Sequence, residues 1–155
     1  MLKLGKLADY GTMLMTALAT EPDQLHAAPT LAARTHVPPA TVSKLLKLLT
    51  RAGMVESLRG ATGGYRLARD PAGISVAAVI AAIDGPIALT QCSHNKGGCS
   101  IESYCGVRTN WRLINQTVRH ALESVTLAEM AAPLRRSHPE FPLLAAPRVA
   151  VAMSR

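Results

Sequence analysis

The sequence predicts a mainly α-helical fold with a small β-wing, built as a winged helix-turn-helix lobe followed by a long dimerisation helix. Composition is the first reason, because 48% of the 155 residues are hydrophobic but only 3% are aromatic, so an aliphatic, helix-rich core is expected. The second reason is a helical apolar period in both halves of the chain. The third is a pair of short strand-type runs around a glycine-rich turn.

Two helices of the lobe are predicted on either side of the turn at residues 37–39, Val-Pro-Pro, since proline ends one helix and can begin the next. The first runs from Thr30 to His36, with Leu31 and Ala33 expected inside. The second runs over residues 40–52. Its apolar residues fall at i, i+3, i+4 and i+7, which predicts one buried stripe: Val42, Leu45, Leu46 and Leu49.

A β-hairpin wing is predicted directly after Gly53, which ends the preceding helix. Residues 54–58 and 65–67 are of strand type, and residues 59–64, RGATGG, form the turn between them. A phosphate-binding glycine loop is the rival interpretation of RGATGG. No phosphate-gripping lysine follows it and no strand-to-helix context surrounds it, so the hairpin is favoured.

Positive charge is concentrated in the same lobe. The chain carries a net charge of +7, and residues 34–69 hold seven basic residues against one acidic residue. A solvated basic face is the alternative when charge is considered alone. With the helix pair and the wing, the pattern predicts double-stranded DNA as the partner, with the second helix in the major groove and the wing at the minor groove. The expected DNA-binding residues are Thr41, Ser43, Lys44, Lys47 and Arg51 on the helix and Arg59, Gly60, Thr62 and Tyr65 on the wing.

A heptad pattern predicts a homodimer. Apolar residues recur at spacings of four and three along Val107, Trp111, Ile114, Val118, Ala121 and Val125. A helix packed on its own domain is the alternative, because Leu113 and Leu122 widen the stripe. Thr126 with Glu129 predicts a capping box, and hence a break near residue 125 and a last short helix through Ala131. A two-fold dimer would read a pseudo-palindromic operator with half-site centres about 10 bp apart, or a multiple of that.

The three cysteines stand as C-x6-C-x5-C between the lobe and the dimerisation helix: Cys92, Cys99 and Cys105. In a reducing cytoplasm such thiols indicate metal or redox chemistry rather than structural disulfides. Gly97-Gly98 lets this segment turn back on itself. A zinc-stapled or thiol-switch regulator would use the same residues without iron. An electron carrier or cluster scaffold would also use the cysteines, but it would need no basic recognition helix. The sequence contains no nucleophile with its base, no nucleotide-binding loop and no paired carboxylates that would indicate an enzyme.

These patterns divide the chain into four parts. A winged helix-turn-helix DNA-binding domain is expected at residues 1–84, with flanking helices at residues 3–20 and 76–84. The first of these is expected to face inward with Leu7, Tyr10, Leu14 and Leu18, while Met13 and Met15 serve as core filler or surface. The other parts are a cysteine-bearing loop at 85–105, the dimerisation and capping helices at 106–131, and a poorly ordered tail at 132–155. No apolar run is long enough for a membrane span, so a cytoplasmic protein is expected.

The sequence resembles the IscR/NsrR-type family of bacterial winged-helix regulators that carry an iron-sulfur cluster. Its LADYGTMLMTALA, its LLKLLTRAGMVESLRGATGGYRLARDP and the three cysteines before a long helix carry the resemblance, which covers residues 1–131. CSIESYCGVRTNWRLINQTVRHALESVTLAEMA is further similar to the proteobacterial branch that regulates the SUF cluster-assembly operon. The resemblance implies a repressor that senses cluster supply, whereas other members sense nitric oxide or redox stress. Arg59 matches the wing arginine of the family, and Ser43 stands where some members have a base-reading glutamate.

The resemblance also implies a ligand set. The three cysteines match the family's cluster ligands, with a first gap one residue longer than in the commonest members, and favour a 2Fe-2S cluster over a 4Fe-4S cluster. Arg108 stands where one branch has a histidine ligand, and arginine cannot replace it. Asp9 matches an acidic ligand of the nitric-oxide-sensing branch and is the candidate fourth ligand; its alternatives are stabilisation of the helix dipole or pairing with Lys6. His94, His120, water and a small molecule are the other candidates.

Overall fold

The computed structural model describes residues 4–60, 62–94 and 99–133. The prediction of a mainly α-helical fold with a small β-wing is confirmed, because these residues form helices around a single two-stranded antiparallel sheet. The elements are α1 Lys6–Ala19, α2 Ala28–Thr35, α3 Pro39–Arg51, β1 Val55–Leu58, β2 Gly64–Leu67, α4 Val76–Asp84, α5 Gln91–His94, α6 Arg108–Glu123 and α7 Leu127–Ala131. Ala61, Gly97-Gly98 and all but the first two residues of the predicted tail lie outside the described residues.

The core of the lobe is aliphatic, as the composition predicts. It joins α1, α2, α3, the wing and α4 with the first residue of α7. Leu14 and Leu18 of α1 are fully buried, Leu7 and Tyr10 pack at the edge, and Met15 is buried while Met13 is exposed. Because such side chains contribute about 1.5–3 kcal/mol each on burial, this cluster is the main source of the lobe's stability. Among the described residues, the largest fully buried side chains are Leu14, Met15, Leu18, Leu31, Val42, Leu45, Leu46, Leu49, Val55, Ile74, Val79 and Leu127.

The helix-turn-helix pair consists of α2 and α3. All four residues of the predicted stripe on α3 are fully buried, which confirms the helical period. The expectation that Ala33 lies inside is wrong: Ala33 is exposed, and Ala32 is buried beside Leu31. The reason is that α2 begins at Ala28, and its inward face passes through Leu31, Ala32 and Thr35.

The wing is a short hairpin to which a preceding loop adds a third backbone segment. β1 and β2 pair with Val55 opposite Leu67 and Glu56 opposite Arg66, and the last two form a cross-strand ion pair. His26 then pairs with Tyr65 through two backbone hydrogen bonds of 2.9 Å. A Cβ atom at residue 64 would lie 2.8 Å from the His26 carbonyl oxygen, so this close approach requires Gly64.

The second half of the chain is joined to the lobe at the start of α4. The Ser75 hydroxyl caps α4, and the Val76 amide donates to the Val125 carbonyl at 2.9 Å. The predicted capping box of Thr126 and Glu129 is confirmed at the start of α7. A smaller apolar cluster seals the junction: Ala8, Val76, Ile80, Ile83, Ile87, Leu122 and Val125. Within the described residues, no helix is both long and apolar enough to cross a bilayer.

The stretch predicted as a loop at residues 85–105 is more structured than expected. Cys92 lies on α5, a single helical turn, and a 3-10 turn at Glu102–Tyr104 separates Cys99 from Cys105. Four-residue and three-residue turns fall below the length at which apolar periodicity is visible, so the sequence gives no signal for them. We call residues 85–90 the linker and residues 91–105 the cysteine segment.

Candidate nucleic-acid interface and cysteine segment

One face of α3 remains open to solvent after its apolar stripe is buried. Ser43, Lys44, Lys47 and Arg51 are exposed on this face, and Thr41 is half-buried near the start of the helix. The α3 helix begins after Pro38 with Pro39 as its first residue, which fixes the entry of the chain into the helix. A helix that presents small polar and basic side chains outward has the chemistry to contact base edges and phosphates.

The wing presents the second set of predicted residues. Arg59, Gly60 and Thr62 are exposed at its tip, on the turn between β1 and β2. Tyr65 lies apart from them: it is half-buried at the base of the wing, packs against the core, and its backbone holds His26. The structure therefore gives Tyr65 a structural role that the sequence did not indicate, and its contact with DNA stays a prediction.

Two basic residues of the charged segment form ion pairs within the protein. Arg66 pairs with Glu56 across the wing, and Arg34 forms an ion pair of 2.9 Å with Glu21. The Arg34 guanidinium also donates to the Thr20 hydroxyl at 2.9 Å. In the part of the chain that the structure describes, no carboxylate pairs with the other five: Lys44, Lys47, Arg51, Arg59 and Arg69. These five supply the cationic surface for a polyanion.

Cys92 lies at the start of the cysteine segment, next to a hydroxyl cluster. The Thr90 hydroxyl lies 3.2 Å from the Cys92 sulfur and 2.8 Å from the Ser93 hydroxyl. The Ser93 amide donates to the Thr90 carbonyl at 3.0 Å, which closes the turn. The side chain of His94, another candidate ligand, lies outside the described residues.

An ion pair braces the other two cysteines. The Arg108 guanidinium lies 2.6 Å from the carboxylate of Glu102, whose side chain is only 9% exposed. The Glu102 amide donates to the Cys99 carbonyl at 3.1 Å, and the Arg108 amide donates to the Cys105 carbonyl at 3.3 Å. Arg108, which stands where a histidine ligates in one branch of the resembled family, therefore contributes to the shape of the segment.

The three thiols are free and partly exposed, but the described residues do not bring three ligating side chains together into a metal-binding group. Asp9 is exposed in the first turn of α1 and lines an open groove of about 640 Å³ with Asp84, the linker and Leu122 of α6. The alternative in which Asp9 pairs with Lys6 is not found among the ion pairs of the described residues; the Lys6 ammonium lies 5.5 Å from the centre of the Tyr10 ring. His120 is exposed on α6.

The α6 helix leaves most of its apolar stripe uncovered. None of its 16 residues is fully buried, although Val118 and Leu122 turn toward the lobe. Four large side chains in its first half and just before it are between 38% and 53% exposed: Val107, Trp111, Leu113 and Ile114. Exposed apolar area of this kind is typical of a surface that a partner covers.

Comparison with known proteins agrees with this architecture. Over 89 residues the chain is 38% identical to the HTH-type transcriptional regulator IscR of Vibrio cholerae, and 37% identical to IscR of Yersinia pestis. These alignments cover 57% of this chain and 51% and 54% of the relatives, so the chain matches about half the length of the curated relatives.

Solved structures match over more of the chain. The global cysteine regulator CymR of B. subtilis is similar with a TM-score of 0.69 and 28% identity over 84% of this chain and 97% of that one. IscR of T. potens is similar with a TM-score of 0.64 and 28% identity over 83% of this chain and 85% of that one. Residues 4–133 match the model of a family described as Rrf2, iron-dependent transcriptional regulator. The chain therefore belongs to the Rrf2 family, and it is a winged-helix, DNA-binding transcriptional regulator and not an enzyme.

Proposed function

We propose that this protein is a cytoplasmic, homodimeric repressor that responds to iron-sulfur cluster supply and controls SUF cluster-assembly genes. The observation that carries the proposal is the placement of the cysteines. All three are free thiols, and all lie between α4 of the DNA-binding lobe and the uncovered helix α6. A change in the cysteine segment would thus act on the junction between the DNA-reading and dimer-forming parts of the chain.

The donor chemistry fits an iron-sulfur cluster, because partly exposed thiols supply the sulfur ligands that such clusters take. Cys92, Cys99 and Cys105 would hold the cluster, 2Fe-2S in preference to 4Fe-4S. Asp9 is the proposed fourth ligand, since it is exposed and, among the described residues, no cation pairs with it. When bound, the cluster supplies iron-thiolate bonds that cross-link the cysteine segment.

DNA recognition follows from the paired lobes. A two-fold dimer through α6 would present two copies of α3 to successive major grooves, with Lys44, Lys47 and Arg51 at phosphates and Thr41 and Ser43 near base edges. Arg59, at the exposed tip of the wing, is placed to enter a minor groove narrowed by A·T base pairs. The effect of the cysteine segment on DNA binding is bounded by the difference in its ligand affinity between the two dimer conformations.

The first test is anaerobic purification of the full chain, with visible absorbance and analysis of iron and sulfide. We expect a coloured protein that contains iron and sulfide, and a Cys99→Ala variant that contains neither. Ser103→Ala is the matched control, because Ser103 is exposed in the same segment and supplies no thiol. A colourless wild-type protein after iron reconstitution would contradict the cluster.

The second test separates sensing from simple binding. DNA affinity of the loaded and the metal-free protein is measured by fluorescence anisotropy on a SUF promoter fragment and on a scrambled fragment. We expect the loaded form to bind the promoter more tightly. Equal affinity of the two forms for the promoter would refute cluster sensing, whereas equal affinity for both fragments would refute the SUF target.

A thiol-switch or zinc-stapled regulator is the second candidate. It is favoured by the free, partly exposed thiols of the cysteine segment and by the similarity to S. aureus CymR, which has been solved in an oxidised form. Its signature would be a colourless protein in which peroxide links two cysteines, or one that contains zinc. A nitric-oxide-sensing or redox-sensing cluster regulator of the same family would be coloured, and its DNA affinity would respond to nitric oxide or oxidant instead of iron supply.

A further inference from the structure

The linker between the lobe and the cysteine segment is held by one side chain of α6. The Leu89 amide donates to the Asn115 side-chain oxygen at 2.9 Å, and the Asn115 amide group donates to the Ile87 carbonyl at 3.3 Å. One side chain thus satisfies a donor and an acceptor two residues apart, as a neighbouring β-strand would. These contacts join positions separated by 26 and 28 residues in sequence.

The contact between Asn115 and the linker is partly buried. Asn115, Ile87 and Leu89 are all partly buried. Ile87 packs into the small apolar cluster with Ala8 of α1 and Val76 of α4. Without the Asn115 side chain, the Leu89 N–H and the Ile87 carbonyl would each lose a hydrogen-bond partner in a partly buried place, which is unfavourable.

The same linker leads directly to the first thiol. One residue beyond Leu89, the Thr90 hydroxyl lies 3.2 Å from the Cys92 sulfur. A continuous set of contacts therefore runs from the Asn115 side chain through the linker backbone to Cys92. In the other direction, Ile87 connects the linker to α1 and α4 of the DNA-binding lobe.

We propose that Asn115 is a positioning residue: it fixes the linker on α6 and thereby sets the place of Cys92 relative to the DNA-binding lobe. The geometric part of this inference stands on the metal-free protein alone. Its consequence for regulation rests on the proposed function, because the contact would then couple the state of the cysteine segment to the lobe.

The test uses the full, reduced, metal-free chain and the variant Asn115→Ala. The rate of Cys92 alkylation by iodoacetamide is measured by mass spectrometry after tryptic digestion. Cleavage after Arg69, Lys96 and Arg108 places Cys92 on a different peptide from the other two cysteines. Asn110→Ala is the matched control, since it makes the same change at an exposed position of the same helix.

We expect Asn115→Ala, which removes both hydrogen bonds, to raise the Cys92 alkylation rate about 30-fold, since loss of each bond's net stabilisation of the closed linker corresponds to about fivefold, with little change at Cys99 and Cys105. Amide exchange at Leu89, followed by NMR, should lose protection to a similar degree. Asn115→Asp keeps the acceptor for Leu89 but loses the donor to Ile87, so its Cys92 alkylation rate should lie between those of the wild type and Asn115→Ala. Circular dichroism of each variant establishes that the chain is folded.

Two results would overturn the proposal: unchanged exchange at Leu89 with unchanged alkylation of Cys92, or an equal effect of Asn110→Ala. Neither depends on iron, so a colourless protein would refute the proposed function without touching this inference. If the protein does bind a cluster, we expect the ratio of DNA dissociation constants between metal-free and loaded forms to fall toward one in Asn115→Ala. A wild-type ratio would refute the coupling role and leave the positioning role standing.

Discussion

Arg34 provides the sharpest separation of a structural cation from a DNA-binding one. By sequence it belongs to the basic segment of the lobe, yet in the structure its guanidinium joins Glu21 and Thr20 at 2.9 Å each. Longer contacts of 3.4 Å reach the Ala17 carbonyl and the His26 ring. Since the backbone of His26 is paired with the wing, Arg34 holds the loop on which the wing rests. We therefore expect Arg34→Lys, which keeps the charge, to be destabilising.

The magnitude follows from the contacts that are lost. The Arg34 side chain is 36% exposed, so its ion pair with Glu21 contributes only about 0.5 kcal/mol. The hydrogen bond to the Thr20 hydroxyl contributes about 1 kcal/mol. Arg34→Ala should thus lower the free energy of unfolding by about 1–2 kcal/mol. Arg34→Lys should lower it by about 1 kcal/mol, because a single ammonium cannot span both partners.

Urea denaturation measures the stability, and the salt dependence of DNA affinity separates the two roles. Each phosphate contact contributes about 0.9 to the slope of log K against log salt concentration. Arg34→Ala should leave this slope unchanged, whereas Lys44→Ala and Lys47→Ala, the exposed controls on α3, should reduce it by about that amount per contact. A reduced slope for Arg34→Ala together with wild-type stability would refute the structural role of Arg34.

Three further predictions concern the wing and the capping box. Arg59→Ala should weaken the preference for A·T base pairs beside the half-site, and competition footprinting with an unchanged preference would count against minor-groove insertion. Gly64→Ala should lower stability in urea by about 1–3 kcal/mol, because its Cβ atom would push against the His26 backbone and break two hydrogen bonds, whereas Gly73→Ala, with open space at its Cβ atom, should not. The pKa of Glu129 is lowered because the Thr126 backbone amide, and to a smaller extent the Thr126 hydroxyl, donate hydrogen bonds to its carboxylate. The stabilisation by the capping box is therefore complete above the ordinary pKa range of glutamate and is lost as pH falls through the lowered pKa. NMR titration should show a higher pKa for this carboxyl when the hydroxyl is removed by T126A.

Elements with a strong local signal were predictable from the sequence. The buried stripe of α3 follows the period of the helix, the wing follows from strand-type residues around glycines, and the capping box follows from Thr126 and Glu129. α4 occupies residues 76–84 as predicted. In each case the residues that decide the structure lie within one or two turns of one another, so pattern and propensity suffice.

Contacts between distant parts of the chain were not predictable in this way. The contacts of Arg34 span 13 residues to Glu21 and 14 to Thr20, and the contacts of Asn115 with the linker span 26 and 28 residues. A lone arginine in a basic segment and a lone asparagine on an amphipathic helix look like solvent-exposed residues in the sequence. The prediction that Ala33 faces inward was wrong for a related reason, because a short helix has too few turns for its sequence to indicate which side faces the core.

The attachments of α6 determine where a signal from the cysteines can act. Its far end is fixed to the lobe by backbone, because the Val76 amide donates to the Val125 carbonyl and the Leu127 amide donates to the Ile74 carbonyl, both at 2.9 Å. Its middle is held through Asn115. Its first half is exposed and directly follows Cys105. Because these contacts hold the far end and the middle of α6, a shift of the cysteine segment would act first on the first half of the helix, where the uncovered apolar side chains lie. The cysteine segment therefore lies next to the uncovered apolar surface of α6, and its connection to the DNA-binding lobe runs through the linker that Asn115 holds.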